Sequence, residues 1–340
     1  MREGRVTIKV IARKLGISPS TVSRALKEHP DISPETRRAV RELAEELHYQ
    51  PDAIALSLKS RQTKVLGLIV PDVVHHFFST VISGIENVAY NAGYQIIICH
   101  SNENYEREVQ CINALLSSRV DGIMVSLSKN TTQFDHFRKV MQEDVPIVFF
   151  DRVCEEIETD RVEVDDYFGA YRAVEHLIEQ GCERIVHFAA PQILTIGRNR
   201  QNGYVQALKD HGMPVDPAYI IKCDTFEEGM EITEKILSMP HRPDGIFAVN
   251  DLTACGAMIT IKKHRIRIPE DIAIVGFTNG QITLITDPPL SSVEQYGFNV
   301  GMETARLLLD RFQRKDNGYP PKTRIIKTRL DIKASSLRKK

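Results

Sequence analysis

From Val65 onward, short apolar runs rich in β-branched residues alternate with longer stretches in which apolar side chains return every three or four positions. The runs VLGLIVPD (65–72), YQIIICHS (94–101), GIMVSLS (122–128) and PIVFFDR (146–152) predict four strands. RVEVDD (161–166), RIVHFAA (184–190), YIIKCD (219–224), GIFAVND (245–251) and IAIVGFT (272–278) predict five more. Between them the segment 78–92 sets Val81, Ile82, Ile85, Val88 and Ala89 on one helical stripe. Strands that are apolar throughout, alternating with amphipathic helices, predict parallel sheets covered on both faces. So many units exceed one open sheet, so the spacing predicts an α/β body of two doubly wound subdomains that part near Glu163. The last stretch holds a strand-like SSVEQ (291–295), a helix over 298–312 and the extended TRIIKTRLDIKASS (323–336). Its return through both lobes predicts an N-terminal subdomain of 64–163 plus 293–325 and a C-terminal one of 164–290 plus 326–340.

The first 50 residues follow a different, all-helical pattern. Thr7 is placed to cap a helix carrying Ile8, Ile11, Ala12 and Leu15, and Gly16 stops it with the left-handed conformation a tight turn needs. Ser18 followed by Pro19 opens a second helix with Val22, Ala25 and Leu26 inward, and Ser33 with Pro34 opens a third with Val40, Leu43 and Leu47. A helix, a glycine turn and a helix form the helix-turn-helix geometry, in which the second helix can enter a DNA major groove about 12 Å wide. That helix offers Ser20, Thr21, Ser23, Arg24 and Lys27 on its outer face: hydroxyls for phosphates and base edges, and an arginine able to pair with guanine through two bonds. A three-helix protein-binding module is the alternative.

Charge sharpens this picture. The whole chain of 340 residues is nearly neutral, with 44 basic and 45 acidic side chains, but residues 1–64 hold 13 Lys/Arg against 8 Asp/Glu and the rest holds 31 against 37. A basic head on an acidic body suits local phosphate contacts beside a separate ligand-binding unit. No apolar run approaches the roughly 20 residues a membrane helix needs, and the charged start MREGRVTIKVIARK has no signal-peptide core, so a cytoplasmic location is expected. Six cysteines at 99, 111, 154, 182, 223 and 255 form no CxxC pair, which suggests neither a disulfide framework nor a zinc site. They read as small buried hydrophobes.

The run VTIKVIARKLGISPSTVSRALKEHPDISPETRRAV with LHYQPDAIALSL resembles the LacI/GalR family of bacterial transcriptional regulators, and the two-lobed body extends the likeness over essentially the whole chain. The resemblance implies a head that binds palindromic operator DNA as a homodimer through Thr7, Ser18, Ser20, Thr21, Ser23, Arg24, Lys27 and Tyr49, with Ala55 and Leu58 in a hinge helix. It also implies a body like a periplasmic sugar-binding protein, with a small-molecule effector, most simply a sugar, between the lobes. The hinge, within 51–63, has its own physical reading. Seven residues from Asp52 to Leu58 are too few for a stable isolated helix, so the segment is expected to order only against its symmetry mate on DNA. Leu58 would then wedge into the minor groove and kink the site; a plain linker is the alternative. Asp52 and Leu56 stand where the family usually has Asn and Arg, which bears on operator affinity.

Open α/β sheets bind ligands at the carboxyl ends of their strands. Those ends carry Asp72, Phe77, Phe78, Asp151, Arg152, Asp165, Asp166, Asn250 and Asp251, with Arg198 and Arg200 on a later helix. Aromatic faces ringed by carboxylates and arginine suit a sugar, whose C–H face stacks while its hydroxyls bond to charged groups. The expected effector residues are Phe77, Phe78, Asp151, Asp165, Arg200, Asn250, Asp251 and Thr278. Thr278 stands where the family usually has Asp, and Leu194 and Ile196 are apolar where purine-binding relatives place Arg and Thr. Adjacent His75 and His76 read as polar rim residues, not metal ligands. No phosphate loop, dinucleotide fingerprint or nucleophile elbow is present, and no cofactor is expected. The expected function is DNA-binding regulation, repression in the first instance, under small-molecule control. A sugar-binding receptor or a sugar-metabolising enzyme on the same scaffold stays open as the alternative.

Overall fold

Alternation of strand and helix in the body produces two six-stranded sheets, as seen in a computed structural model that describes residues 6–49, 62–313 and 320–338. The chain divides after Lys64 into two units. The first contains α1 (Ile8–Leu15), α2 (Pro19–Leu26) and α3 (Pro34–Glu46). Their starts and stops are chemical. Ser18 Oγ accepts the Thr21 N–H at 3.0 Å and Ser33 Oγ accepts that of Thr36 at 3.2 Å, each ahead of a proline at the first helical position. Gly16 ends α1 at φ +66°, where an L side chain would be strained. Thr7 corrects one expectation: it occupies the cap position with extended backbone, but its side chain makes no capping bond. Its carbonyl accepts the Val10 N–H instead. Ile11, Ala12, Val22, Ala25, Val40 and Ala44 close one small core.

The second unit begins with β1 (Val65–Val70), α4 (His76–Asn91), β2 (Gln95–His100), α5 (Tyr105–Ser117), β3 (Gly122–Val125), α6 (Asp135–Gln142), β4 (Ile147–Phe150) and β5 (Asp160–Val164). The chain then crosses to α7 (Asp166–Glu179), β6 (Ile185–Ala189), α8 (Thr195–Asp210), β7 (Ile220–Lys222), α9 (Phe226–Leu237), β8 (Gly245–Ala248), α10 (Asp251–Lys263), β9 (Ala273–Thr278), α11 (Ile282–Ile285) and β10 (Ser291–Glu294). It returns through α12 (Gly297–Gln313) and β11 (Thr323–Ile326), and ends beyond β12 (Arg329–Asp331). The sheet orders are β11-β5-β4-β3-β1-β2 and β12-β10-β9-β8-β6-β7, and every pairing is parallel except β10 with β12. Apolar clusters lie on both faces of each sheet, as parallel strands require.

Three boundaries differ from the sequence expectation. β5 runs to Val164 and β11 to Ile326 in the first sheet, and β10 pairs Ser291–Glu294 with β9 in the second. The crossings therefore fall at Asp165, at Gln295 and Tyr296, and at Lys327 and Thr328. Residues 293–294 belong to the second lobe and not the first: a four-residue strand carries no mark of the sheet it joins, and the ladder decides that. The head boundary at residue 50 and most of the linker lie outside the described residues.

Helix pairs cross through glycine. A Cβ on Gly84 of α4 would fall 2.1 Å from the Phe298 carbonyl of α12, and one on Gly301 equally close to that of Val81. Backbone meets backbone there, which holds α12, the returning segment, firmly on the first lobe.

Candidate functional site

On the head, Ser20, Arg24 and Lys27 are exposed and Thr21 and Ser23 half-buried along the outer side of α2, while Val22 and Ala25 point into the core. Ser18 Oγ lies 2.6 Å from Ser20 Oγ and 2.8 Å from Thr21 Oγ1, so three hydroxyls gather at the amino end of α2, where phosphate oxygens are favoured. The basic residues of α3 are tied down: Arg41 pairs with Glu28, Arg38 with Glu42 at 3.8 Å, and Arg37 bonds the Ile32 carbonyl at 2.8 Å. Arg24 and Lys27 have no ion pair among the described residues. Tyr49 is half-buried against the head core. Ala55 and Leu58 lie outside the described residues.

In the body, the carboxyl ends of the strands of both sheets line one cleft of about 380 Å³, within the range of small-molecule sites. Phe77, Phe78, Asp151, Arg200, Asn250 and Thr278 all line it. Phe78 meets Phe77 edge to face at 5.4 Å, and the Arg152 guanidinium sits 5.7 Å from the Phe78 ring centre. Asp151 adopts φ +59° just past β4. Burial pushes its carboxyl up to about 7, against the opposing pull of Arg152. It can therefore donate as well as accept near neutral pH. Thr278, at φ +125°, donates its hydroxyl to Gln295 Oε1 at 3.0 Å. Asn250 caps α10 by accepting the Thr253 N–H and donates to the Asp224 carbonyl at 2.9 Å.

Arg200 is deeply engaged. Its Nε donates to Asp166 Oδ1 at 2.8 Å, a terminal nitrogen donates to the Val249 carbonyl at 2.6 Å, and the guanidinium lies 3.8 Å from the Phe277 ring centre. Only its remaining N–H groups are left to face a ligand.

Two expected residues stand elsewhere. Asp251 is below the cleft, not on its wall: its carboxylate accepts the Gly280 N–H at 2.8 Å and the Ser292 hydroxyl, and burial pushes it up to about 7. Asp165 is at the crossover between lobes. It caps α7 through the Phe168 N–H at 3.3 Å and pairs with Lys327 at 2.9 Å, so the interlobe connection takes up its charge.

The cleft also includes Glu103, Lys129, Asp224, Phe226 and Gln295, which the sequence reading did not select. Glu103 bonds Arg152 at 2.8 Å, and Lys129 of the first lobe reaches Asp224 of the second at 3.3 Å, bridging the cleft. Glu103 and Asp224 follow β2 and β7 by a few residues, so the strand-end rule applied to every strand would have found both. His75 Nδ1 and Arg152 Nε are buried in this wall without a hydrogen-bond partner among the described residues. Burial is the main cause of the lowered His75 pKa, with Arg152 adding to it. No described helix is long and apolar enough to cross a membrane.

Comparison with known proteins follows the same division of the chain. Residues 7–52 match the profile of bacterial regulatory proteins, lacI family, and residues 63–333 that of periplasmic binding proteins and sugar binding domain of LacI family. The chain is 34% identical over 336 residues to the HTH-type transcriptional repressor CytR of Escherichia coli (strain K12), covering 98% of this chain and 97% of that one. It is 33% identical to catabolite control protein A of Priestia megaterium, over 89% of this chain and 91% of that one. Among solved structures, the transcriptional regulator CelR–cellobiose complex superposes with a TM-score of 0.75 at 27% identity, covering 97% of this chain and all of that one. The Lac repressor dimer bound to operator and the anti-inducer ONPF superposes with a TM-score of 0.87 at 23% identity, over 98% of this chain and all of that one, a likeness of fold. With both profiles matched in order and a repressor aligned almost end to end, the chain belongs to the LacI family of bacterial regulatory proteins.

Proposed function

We propose that this chain is a sequence-specific transcriptional repressor, not an enzyme, that binds an inverted-repeat operator as a homodimer and is controlled by a small uncharged hydroxylated ligand between its lobes. The observation that carries the reading is the joining, in one chain, of a capped helix with an open Arg24 and Lys27 face to a two-lobed cleft whose cations are already paired. Arg152 is held by Glu103, Lys129 by Asp224 and Arg200 by Asp166, so the wall has little cationic charge to spare for a phosphate. Asp72, Asp151 and Glu227 add carboxylates to the same wall, which favours a ligand that donates hydroxyl hydrogens. Phe77, Phe78, Asp151, Arg200, Asn250 and Thr278 are the proposed ligand contacts, with Asp251 buttressing them from below.

On the DNA side, Thr7, Ser18, Ser20, Thr21, Ser23 and Tyr49 position the head on the backbone, Arg24 and Lys27 read it, and Ala55 and Leu58 enter the minor groove. Control follows from linkage. A ligand that binds one lobe angle more tightly than another shifts the spacing of the two heads, and so the fraction of dimers able to engage both half-sites. Selection of bound duplexes from a random library with the full chain should enrich an inverted repeat, and a sugar screen should find compounds that change binding to it. Enrichment of no sequence, or of a lone asymmetric site, would reject the reading.

A further inference from the structure

Away from the crossovers, two ion pairs run from lobe to lobe among the described residues. Lys129 follows β3 of the first sheet and lies 3.3 Å from Asp224, which follows β7 of the second. Glu155 follows β4 and lies 2.5 Å from Arg198, near the start of α8 and past β6. β3 and β4 are neighbours in the first sheet, as β6 and β7 are in the second. We propose that these pairs form an electrostatic clasp that holds the two lobes together across the cleft and loosens as ionic strength rises.

Position gives the clasp its leverage. Two of the crossovers join the second sheet at β10 and β12, at one end of the order β12-β10-β9-β8-β6-β7, whereas Arg198 and Asp224 follow the two strands at the other end. Three to five strand spacings lie between, roughly 14 to 24 Å, so a lobe rotation of about 10° parts the pairs by roughly 2 to 4 Å. Polarity gives the clasp its register. Each lobe supplies one cation and one anion, in opposite sense. A slide by one strand would bring Lys129 toward Arg198 or, in the other direction, Glu155 toward Asp224, like charge against like.

The partners are held ready. The Lys129 N–H donates to Glu103 at 2.8 Å and the neighbouring Ser128 N–H to fully buried Glu108 at 2.7 Å. Asp224 donates its N–H to Glu228 at 2.8 Å and accepts from Asn250 on its carbonyl at 2.9 Å, and Arg198 also donates to the Ile193 carbonyl at 3.0 Å. Such anchoring lowers the entropy lost when each pair forms. Side chains are 28% and 12% exposed in the first pair and 40% and 62% in the second, so salt reaches both, the second more. Screening over a Debye length of about 3 Å at 1 M salt therefore weakens the clasp. Lobe movement of this kind is independent of what the cleft binds and of any DNA site.

The test reads lobe separation by single-molecule energy transfer in the full chain, without ligand or DNA. Dyes are attached through p-azidophenylalanine in place of Glu106 and Glu231, exposed on α5 of the first lobe and α9 of the second. Labelled chain is mixed with excess unlabelled chain, so that both dyes lie in one copy. Raising chloride from about 0.02 to 1 M should shift the unmutated chain toward wider separation. Lys129→Gln with Glu155→Gln should raise the ratio of wide to narrow forms about 2- to 25-fold at low salt and leave little further response to salt. Asp224→Asn added to Lys129→Gln should change nothing more, whereas Lys129→Arg should behave as the parent. The salt response of the unmutated chain needs no variant to fold. An equal separation at both salt concentrations, equal separations in the double variant and the parent, or an additive effect of Asp224→Asn on Lys129→Gln would overturn the proposal.

Discussion

Arg200→Ala removes a guanidinium that is 5% exposed from beside Asp166, whose side chain is 2% exposed. The pair is 2.7 Å apart, and the same arginine also satisfies the Val249 carbonyl and covers the Phe277 ring. Deleting one member of a buried pair strands the other, a loss of about 3 to 5 kcal/mol; the carbonyl and ring contacts overlap with that figure and do not add to it in full. Burial already raises the Asp166 pKa, and the nearby arginine is the chief force opposing it. Without Arg200 the folded carboxyl binds its proton more tightly than the unfolded one. The variant is thus least impaired in acid, and its deficit grows as pH rises through the raised value. Urea unfolding of the body, followed by circular dichroism at pH 5 and pH 8, reads both quantities. Adding Asp166→Asn should recover part of the loss. A deficit below about 1 kcal/mol, or one equal at the two pH values, would show that Asp166 is not stranded and refute the reasoning.

Other outcomes follow from the same geometry. Arg24→Ala should remove about 1 to 3 kcal/mol of discrimination between operator and unrelated duplex, read by fluorescence anisotropy; equal discrimination would remove Arg24 from base reading. Asp151 and Asp251 are both pushed from an ordinary 3.8 to about 7, so their contribution to stability is complete below 3.8 and is lost as pH rises through about 7. Asp151→Asn should flatten the fall in unfolding free energy over that window, and an unchanged slope would count against the assignment. Gly84→Ala should destabilise the first lobe by at least about 1 to 3 kcal/mol, because its Cβ meets the Phe298 carbonyl and α12 must move; a melting temperature equal to the parent's would contradict that contact.

Much of this molecule is written locally. The period of apolar residues sets strand or helix, Ser18–Pro19 and Ser33–Pro34 fix helix starts, and Gly16 fixes a turn, because each depends on neighbours within a few positions. The strand-end rule likewise located Phe78, Asp151 and Asn250 on the cleft. What the sequence could not show depends on partners far along the chain. The sheet that receives Ser291–Glu294, the capture of Asp165 by Lys327, the engagement of Arg200 by Asp166 and the meeting of Lys129 with Asp224 all join residues distant in sequence. Backbone preferences and hydrophobic period act over one or two turns, whereas ion pairing and strand pairing require a tertiary structure to bring their partners within a few ångströms.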